Sequence, residues 1–292
     1  MAIKLKELED KLKSAEIIVN KDGSIYHLCL YPEQLSKNII LVGDPFRVDS
    51  ISKYLNNIEF TTQNREFKST TGYYKDNRIT VVSTGIGGSN IDIVINELDA
   101  LFNYDFKKQK FKTNHRYFNI IRIGTSGSIL KDLKINSFLI SEYAIDINSQ
   151  LALYDLDNYK SNKISKILLN KNSVSPVYLF KSDNALFNKF YVGDINKGIT
   201  ATCNGFYAFQ GRKTRMSVNS KLTLNDICNI KIDDIPISNL EMETAIIYGL
   251  CDFLGHNAIS LNAILANRIE DEYSSSPKKV IDLLINFVLE RI

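Results

Sequence analysis

Three arginines stand where an oxyanion could be gripped. Arg47 closes Gly43-Asp44-Pro45-Phe46-Arg47, Arg65 sits in Gln63-Asn64-Arg65-Glu66-Phe67, and Arg122 opens Arg122-Ile123-Gly124-Thr125-Ser126-Gly127. A guanidinium is a planar fork that holds phosphate at two points. Each hydrogen bond to a charged group is worth roughly 1.5–3 kcal/mol, so two or three such arginines would retain a small phosphate. A surface ion pair is the simpler reading of any one arginine. Arg122 is the exception, because it lies inside an apolar run where an unpaired charge is costly. Two further segments, Ser83-Thr84-Gly85-Ile86-Gly87-Gly88 and Ala266-Asn267-Arg268, also follow apolar runs. Glycine after a strand permits positive φ and close approach of backbone N–H groups to an anion. None of these segments has the spacing of a P-loop or of a dinucleotide fingerprint.

A second constellation is Phe206-Tyr207-Ala208-Phe209-Gln210-Gly211-Arg212. Gln210 carries both a donor and an acceptor, and Arg212 adds a second donor two residues on, which together suit the edge of a planar imide. Phe206 offers a face for stacking, although core packing explains aromatic residues equally well. Glu241 and Glu243 flank Met242 at an expected helix start, where carboxylates either favour the positive dipole end or face a ligand. His27 is read as a packed histidine or a ligand contact, His115 as a loop residue and His256 as a surface residue. Cys29, Cys203, Cys228 and Cys251 form no C-x-x-C pair and no zinc spacing, and are read as reduced, mostly buried residues.

These groups need elements to position them. Ile39–Val42, Tyr117–Ile123, Phe138–Ile145 and Ala258–Ala266 read as buried strands, and Thr71–Tyr74 with Ile79–Ser83 as a hairpin around Lys75-Asp76-Asn77-Arg78. Phe46–Leu55, Ser89–Phe102 with Ser89 as N-cap, Glu241–Phe253 and Pro277–Ile292 read as helices. Residues 103–116 read as a basic loop or helix extension with a solvated face, and 150–195 has no clear period. Residues 1–22 read as an N-terminal helical extension, and 23–292 as one α/β domain. Its central mixed, twisted sheet carries helices on both faces. Ligands gather at the carboxyl ends of strands in such sheets.

The 292 residues carry 36 Lys and Arg against 33 Asp and Glu, a net charge of +3, too mild to imply nucleic-acid binding. Hydrophobic residues make up 44%, which excludes a disordered or collagen-like chain. The start lacks the continuous apolar stretch of a signal peptide. No run approaches the ~18 apolar residues of a membrane span. A cytoplasmic protein without membrane partners is expected.

Taken in order, Gly-Asp-Pro-x-Arg-Val, Arg-Glu-Phe, Ser-Thr-Gly-Ile-Gly-Gly, Arg-Ile-Gly-Thr-x-Gly, Phe-Tyr-x-x-Gln-x-Arg, Glu-Met-Glu and Asn-Arg resemble the nucleoside phosphorylase family, and within it the uridine phosphorylases, from about His27 to Arg268. The resemblance implies the phosphorylase/hydrolase-like fold and reversible phosphorolysis of uridine to uracil and ribose 1-phosphate. It gives phosphate to Gly43, Arg47, Arg122 and Thr125, with Arg65 supplied to a neighbouring subunit. It gives the ribose hydroxyls to Met242 and Glu243, and the 5′-hydroxyl to His27 across a subunit boundary. It gives uracil to Phe206, Gln210 and Arg212, with Arg268 closing the pocket. No cofactor is implied beyond phosphate as co-substrate. Some relatives bind a monovalent cation such as K+ between subunits, at positions matching Glu66, Ile79 and Ser83. A homo-oligomer follows, at least a dimer, with a hexamer built as a trimer of dimers as the larger option. Purine phosphorylases of this fold carry an Asp where Asn267-Arg268 stand here, and many relatives carry Pro-Gly where Ala208-Phe209 stand. The alternatives are a purine or broad-specificity phosphorylase, a hydrolase, and a nucleoside-binding protein without turnover.

Overall fold

A computed structural model describes residues 12–161, 164–166, 176–218, 223–232 and 234–292. The chain divides into two compact units. One runs to Ile121 and takes back Leu250–Asn257 and Ile292; the other holds Arg122–Gly249 and Ala258–Arg291.

In the first unit, β1 (Asn38–Val42) is the apolar run expected, buried from Ile39 onward. Asp44 then accepts the Phe46 N–H at 2.9 Å and Pro45 takes the first position of α1 (Pro45–Ser52). Asp as N-cap followed by Pro is a strong helix start, so α1 begins one residue before the expected Phe46. Strands β2 (Asn56–Asn64), β3 (Phe67–Tyr74) and β4 (Asn77–Ser83) follow. β4 pairs with β1 in parallel and with β3 antiparallel, and β3 pairs antiparallel with β2. Helix α2 (Gly88–Asn103) is capped by the backbone of Gly87 at φ 91°, not by Ser89. Residues 104–111 form a small hairpin, β5 (Tyr104–Asp105) and β6 (Lys110–Phe111), rather than a loop or helix extension. Asp105 ends the helix option by accepting the N–H groups of Lys107 and Lys108, the local competition typical of Asp.

Residues 1–11 of the expected N-terminal helix lie outside the described residues. Residues 12–22 form turns and an isolated bridge, Val19 to Ile25. Asn20 donates to Ser24 Oγ and to the Ile25 carbonyl, and Asp22 accepts from Ser24; such side-chain bonds favour a turn over a helix. His256 is not a surface residue. It is buried, bonded through Nε2 to Asp99 at 3.0 Å and stacked on Phe118 at 3.6 Å.

β7 (Asn119–Ser128) enters the second unit at Arg122. The elements after it are β8 (Phe138–Asp146), β9 (Tyr178–Lys181), α3 (Asn184–Phe190), β10 (Asn196–Thr202), α4 (Leu224–Cys228), β11 (Lys231–Ile232) and β12 (Ile235–Glu241). They continue as α5 (Thr244–Leu254), β13 (Asn257–Asn267), β14 (Glu272–Tyr273) and α6 (Pro277–Leu289). The strand order β12-β10-β8-β13-β7 closes on itself, because β12 also pairs with β7 through Asn239–Ser128 and Leu240–Gly127. Five strands thus form a ring with parallel (β8, β10, β12) and antiparallel pairings. Ile145, Ile199, Ala201, Cys203, Ile227, Ile237 and Leu240 form part of its apolar core. The class is α/β with mixed parallel and antiparallel pairing. Cys203 and Cys251 are buried, Cys29 and Cys228 half-buried, and none is in a disulfide.

Two expectations change here. β7 does not turn at Gly124-Thr125-Ser126-Gly127 but runs straight through it. Neither glycine has positive φ; Gly124 is small for another reason, given below. Glu241 and Glu243 do not open a helix together: Glu241 is the last residue of β12, and α5 starts at Thr244.

Candidate active site

In the second unit, Arg122 projects from β7 and is only 6% exposed. Its Nη2 donates to Glu243 Oε2 at 2.5 Å and lies 3.3 Å from Glu241 Oε2, while Nη1 donates to Asn262 Oδ1 at 3.1 Å. Burial pulls the guanidinium pKa down, but the charges of Glu241 and Glu243 outweigh it and hold Arg122 above its ordinary range. The side chain folds back across its own strand. A Cβ on Gly124 would run into the guanidinium and would lie 2.8 Å from Asn262 Oδ1. Gly124 is therefore small to seat Arg122, whereas a Cβ on Gly127 would lie 3.7 Å from the Arg268 side chain, an ordinary contact. A guanidinium has five N–H donors, and Arg122 spends two on described acceptors.

The two glutamates divide the roles that the sequence left open. Glu241 is the cap: its oxygens accept from Thr202 Oγ1 at 2.6 Å, the N–H groups of Glu243 and Thr244, and Thr244 Oγ1. Glu243 turns to Arg122 instead. Met242, between them, is half-buried.

Phe206, Gln210, Arg212 and Arg268 come together as a second cluster of the same unit. Gln210 is 2% exposed, in a short 3-10 turn (Ala208–Gln210) ended by Gly211 at φ 66°. Arg212 Nη1 donates to Gln210 Oε1 at 2.5 Å and to the Phe206 carbonyl at 2.7 Å. Arg268 Nη1 donates to the Gln210 carbonyl at 2.5 Å. Burial lowers the pKa of both arginines, and the Arg268 charge lowers Arg212 further. Among the described residues no carboxylate pairs with either. Two half-buried cations without a counter-anion prefer a ligand that carries or develops negative charge. Because arginine only donates, Arg212 fixes the Gln210 amide with its oxygen toward Arg212 and its NH2 away from it. The Arg212 guanidinium also covers one face of the Phe206 ring at 3.7 Å, so Phe206 has one face fewer for a base than expected. Phe209 lies against Gly205, where a Cβ would meet its ring at 2.6 Å.

The first unit carries its own candidate groups. Gly43 approaches the Gly85 carbonyl, which a Cβ would reach at 3.4 Å, while Gly85 and Gly87 have φ 72° and 91°. Here positive φ does require glycine. Arg47 is half-buried on α1. Arg65 is exposed at the β2–β3 hairpin tip with φ 54°. His27 Nδ1 meets Glu97 Oε1 at 2.6 Å, and Glu97 also accepts the N–H groups of His27 and Leu28. For the cation positions, Ser83 Oγ donates to the Glu66 carbonyl at 2.6 Å, and Ile79 lies on the same strand as Ser83.

Sequence reading missed Glu97 and Asn262. Asn262 had a signal, a polar residue in the apolar run Ala258–Ala266. Glu97, beside Ile95 and Leu98 of α2, had a weaker one.

Residues 37–287 match the model of a family described as the phosphorylase superfamily. A uridine phosphorylase of Thermococcus kodakarensis is 27% identical over 270 residues, covering 92% of this chain and 87% of that protein. A DeoD-type purine nucleoside phosphorylase of Listeria monocytogenes is 25% identical, covering 84% and 88%. Among solved structures, a Trypanosoma brucei nucleoside phosphorylase showing uridine phosphorylase activity superposes with a TM-score of 0.83 at 26% identity, over 94% of this chain and 98% of that one.

Proposed function

The chain belongs to the phosphorylase superfamily, and from that premise we propose that it catalyses reversible phosphorolysis of uridine to uracil and ribose 1-phosphate. The observation that carries the choice of base is the Gln210–Arg212–Arg268 cluster. The NH2 of Gln210, turned away from Arg212, donates to one uracil carbonyl, and the second lone pair of its oxygen accepts the adjacent ring N–H. Arg212 donates to the other carbonyl. Asn267 supports the same choice over a purine: its side chain is spent on the carbonyls of Leu130 and Leu133 and on the N–H groups of Ile269 and Glu270, and it offers no carboxyl proton to a purine ring nitrogen.

Phosphate is the nucleophile. One of its oxygens bonds to the anomeric carbon as the bond from that carbon to the base nitrogen breaks, and the bonding pair leaves with uracil, which takes a proton from solvent. The transition state resembles an oxocarbenium ion, steadied by the phosphate charge. Arg122 directs its remaining N–H donors at phosphate, and Thr125, half-buried two residues beyond the Ile123 peptide on the same strand, adds a hydroxyl. Glu243 holds the ribose hydroxyls while tied to Arg122, so sugar and phosphate are registered through one ion pair. Arg212 and Arg268 meet the negative charge that moves onto uracil; donors fixed in advance where charge develops supply much of the rate enhancement in many enzymes. His27 and the exposed Arg65 serve a neighbouring copy, so the active form is at least a dimer. A cytoplasmic location belongs to the same reading. A panel of uridine, deoxyuridine, thymidine and inosine, each with phosphate, tests it: uridine should be cleaved fastest, and inosine outcompeting uridine would replace this reading with a purine phosphorylase.

A further inference from the structure

We propose that Asn262 is a positioning residue for phosphate, acting through Arg122. This rests on the reading of Arg122 as a phosphate ligand. Asn262 is fully buried in β13, where an amide is costly unless bonded. Its oxygen accepts from Arg122 Nη1 at 3.1 Å, and its NH2 reaches Ser141 Oγ and Ser260 Oγ, each at 3.4 Å.

The amide is also anchored beyond those neighbours. Ser141 Oγ meets Thr200 Oγ1 at 2.6 Å, Thr200 donates to Asn239 Oδ1 at 2.8 Å, and Asn239 Nδ2 donates to Ser126 Oγ at 2.8 Å. The path leaves β7 at Arg122, crosses β13, β8, β10 and β12, and returns to β7 at Ser126, beside Thr125. Every strand of the closed ring contributes a side chain. Such a fully bonded buried network rigidifies its members.

The consequence is directional. Glu243 alone would let the guanidinium pivot about Nη2. Asn262 fixes Nη1, so the plane of the fork and its remaining donors are set before phosphate arrives. Gly124 clears the space in which the fork lies. The choice of amide over carboxylate matters as well: a third carboxylate beside Glu241 and Glu243 would compete with phosphate for Arg122, whereas a neutral oxygen orients the cation without consuming its charge.

The test is Asn262→Leu in the full-length chain, close in size and without the acceptor. Steady-state phosphorolysis of uridine and calorimetric titration of inorganic phosphate are run on wild type and variant. The KM and Kd for phosphate should each rise about tenfold, the loss expected for one charge-assisted bond, with the uridine KM unchanged. Asn262→Ala serves the same purpose should the leucine variant not fold. Unchanged phosphate constants, or a parallel rise of both KM values with a lowered Tm, would mean that Asn262 only packs the barrel, and the proposal fails while the phosphorylase reading stands. Wild type that neither binds phosphate nor releases uracil would overturn the phosphorylase reading, and this proposal with it.

Discussion

Gly124→Ala is the smallest change that should disable phosphate use. The added methyl would sit 2.6 Å from Arg122 Cζ and 2.8 Å from Asn262 Oδ1, against the ~3.5–4 Å of an ordinary contact. The Asn262 amide is held by Ser141 and Ser260, so the guanidinium must move by an ångström or more. Its bonds to Asn262 and Glu243 then break or stretch. Overpacking of this kind costs about 1–3 kcal/mol, and full rupture of a buried ion pair about 3–5 kcal/mol; a folded protein with a lowered Tm is the expected result. The larger effect is on chemistry, a fall of about 10²–10³ in kcat/KM for phosphate. The assay is uracil release across a phosphate series, with thermal melting beside it. A variant with wild-type kcat/KM for phosphate would refute the claim that the folded-back guanidinium, rather than a turn, is the reason for glycine at this position.

Arg212→Ala should lower kcat on uridine by about 10²–10³, because it removes a donor to the leaving base and also the bond that orients Gln210; turnover near wild type would take Arg212 out of the mechanism. Glu97→Gln should erase the preference for uridine over 5′-deoxyuridine, since Glu97 sets the orientation of His27; an intact preference would separate His27 from the 5′-hydroxyl. Asp146 gives a pH test. Burial, opposed by N–H bonds from Asn148 and Leu151, pushes its carboxyl up to about 6 from 3.8. The folded state therefore binds the proton more tightly than the unfolded chain, and this contribution to stability, present below pH ~4, falls by roughly 3 kcal/mol as pH rises through about 6. Denaturant titrations of wild type and Asp146→Asn across that window should show the difference, and parallel curves would contradict it.

Much of this was legible because glycines and charges inside apolar runs carry local meaning. The Gly43-Asp44-Pro45 start of α1 follows from capping chemistry alone. The motif order from about His27 to Arg268 pointed to one family, and Gln210 and Arg212, two residues apart, are hydrogen-bonded to each other. What failed depended on partners distant in the chain. Gly124 and Gly127 read as a turn, yet both lie within β7; Gly124 is small because Arg122 lies against it, and Asn262, which bonds Arg122, is 140 residues away. The same holds for His256, whose partner Asp99 is 157 residues away. Glu241 and Glu243 look equivalent in sequence. A strand end at Glu241 points one carboxylate to the cap and leaves the other for the arginine, and no local pattern distinguishes them.

The most direct measurement is product analysis with purified protein and uridine, with and without phosphate. The account predicts uracil and ribose 1-phosphate in equal amounts when phosphate is present, and neither without it. Free ribose appearing at the same rate in phosphate-free buffer would contradict it, since water rather than an arginine-held oxyanion would then be attacking the sugar.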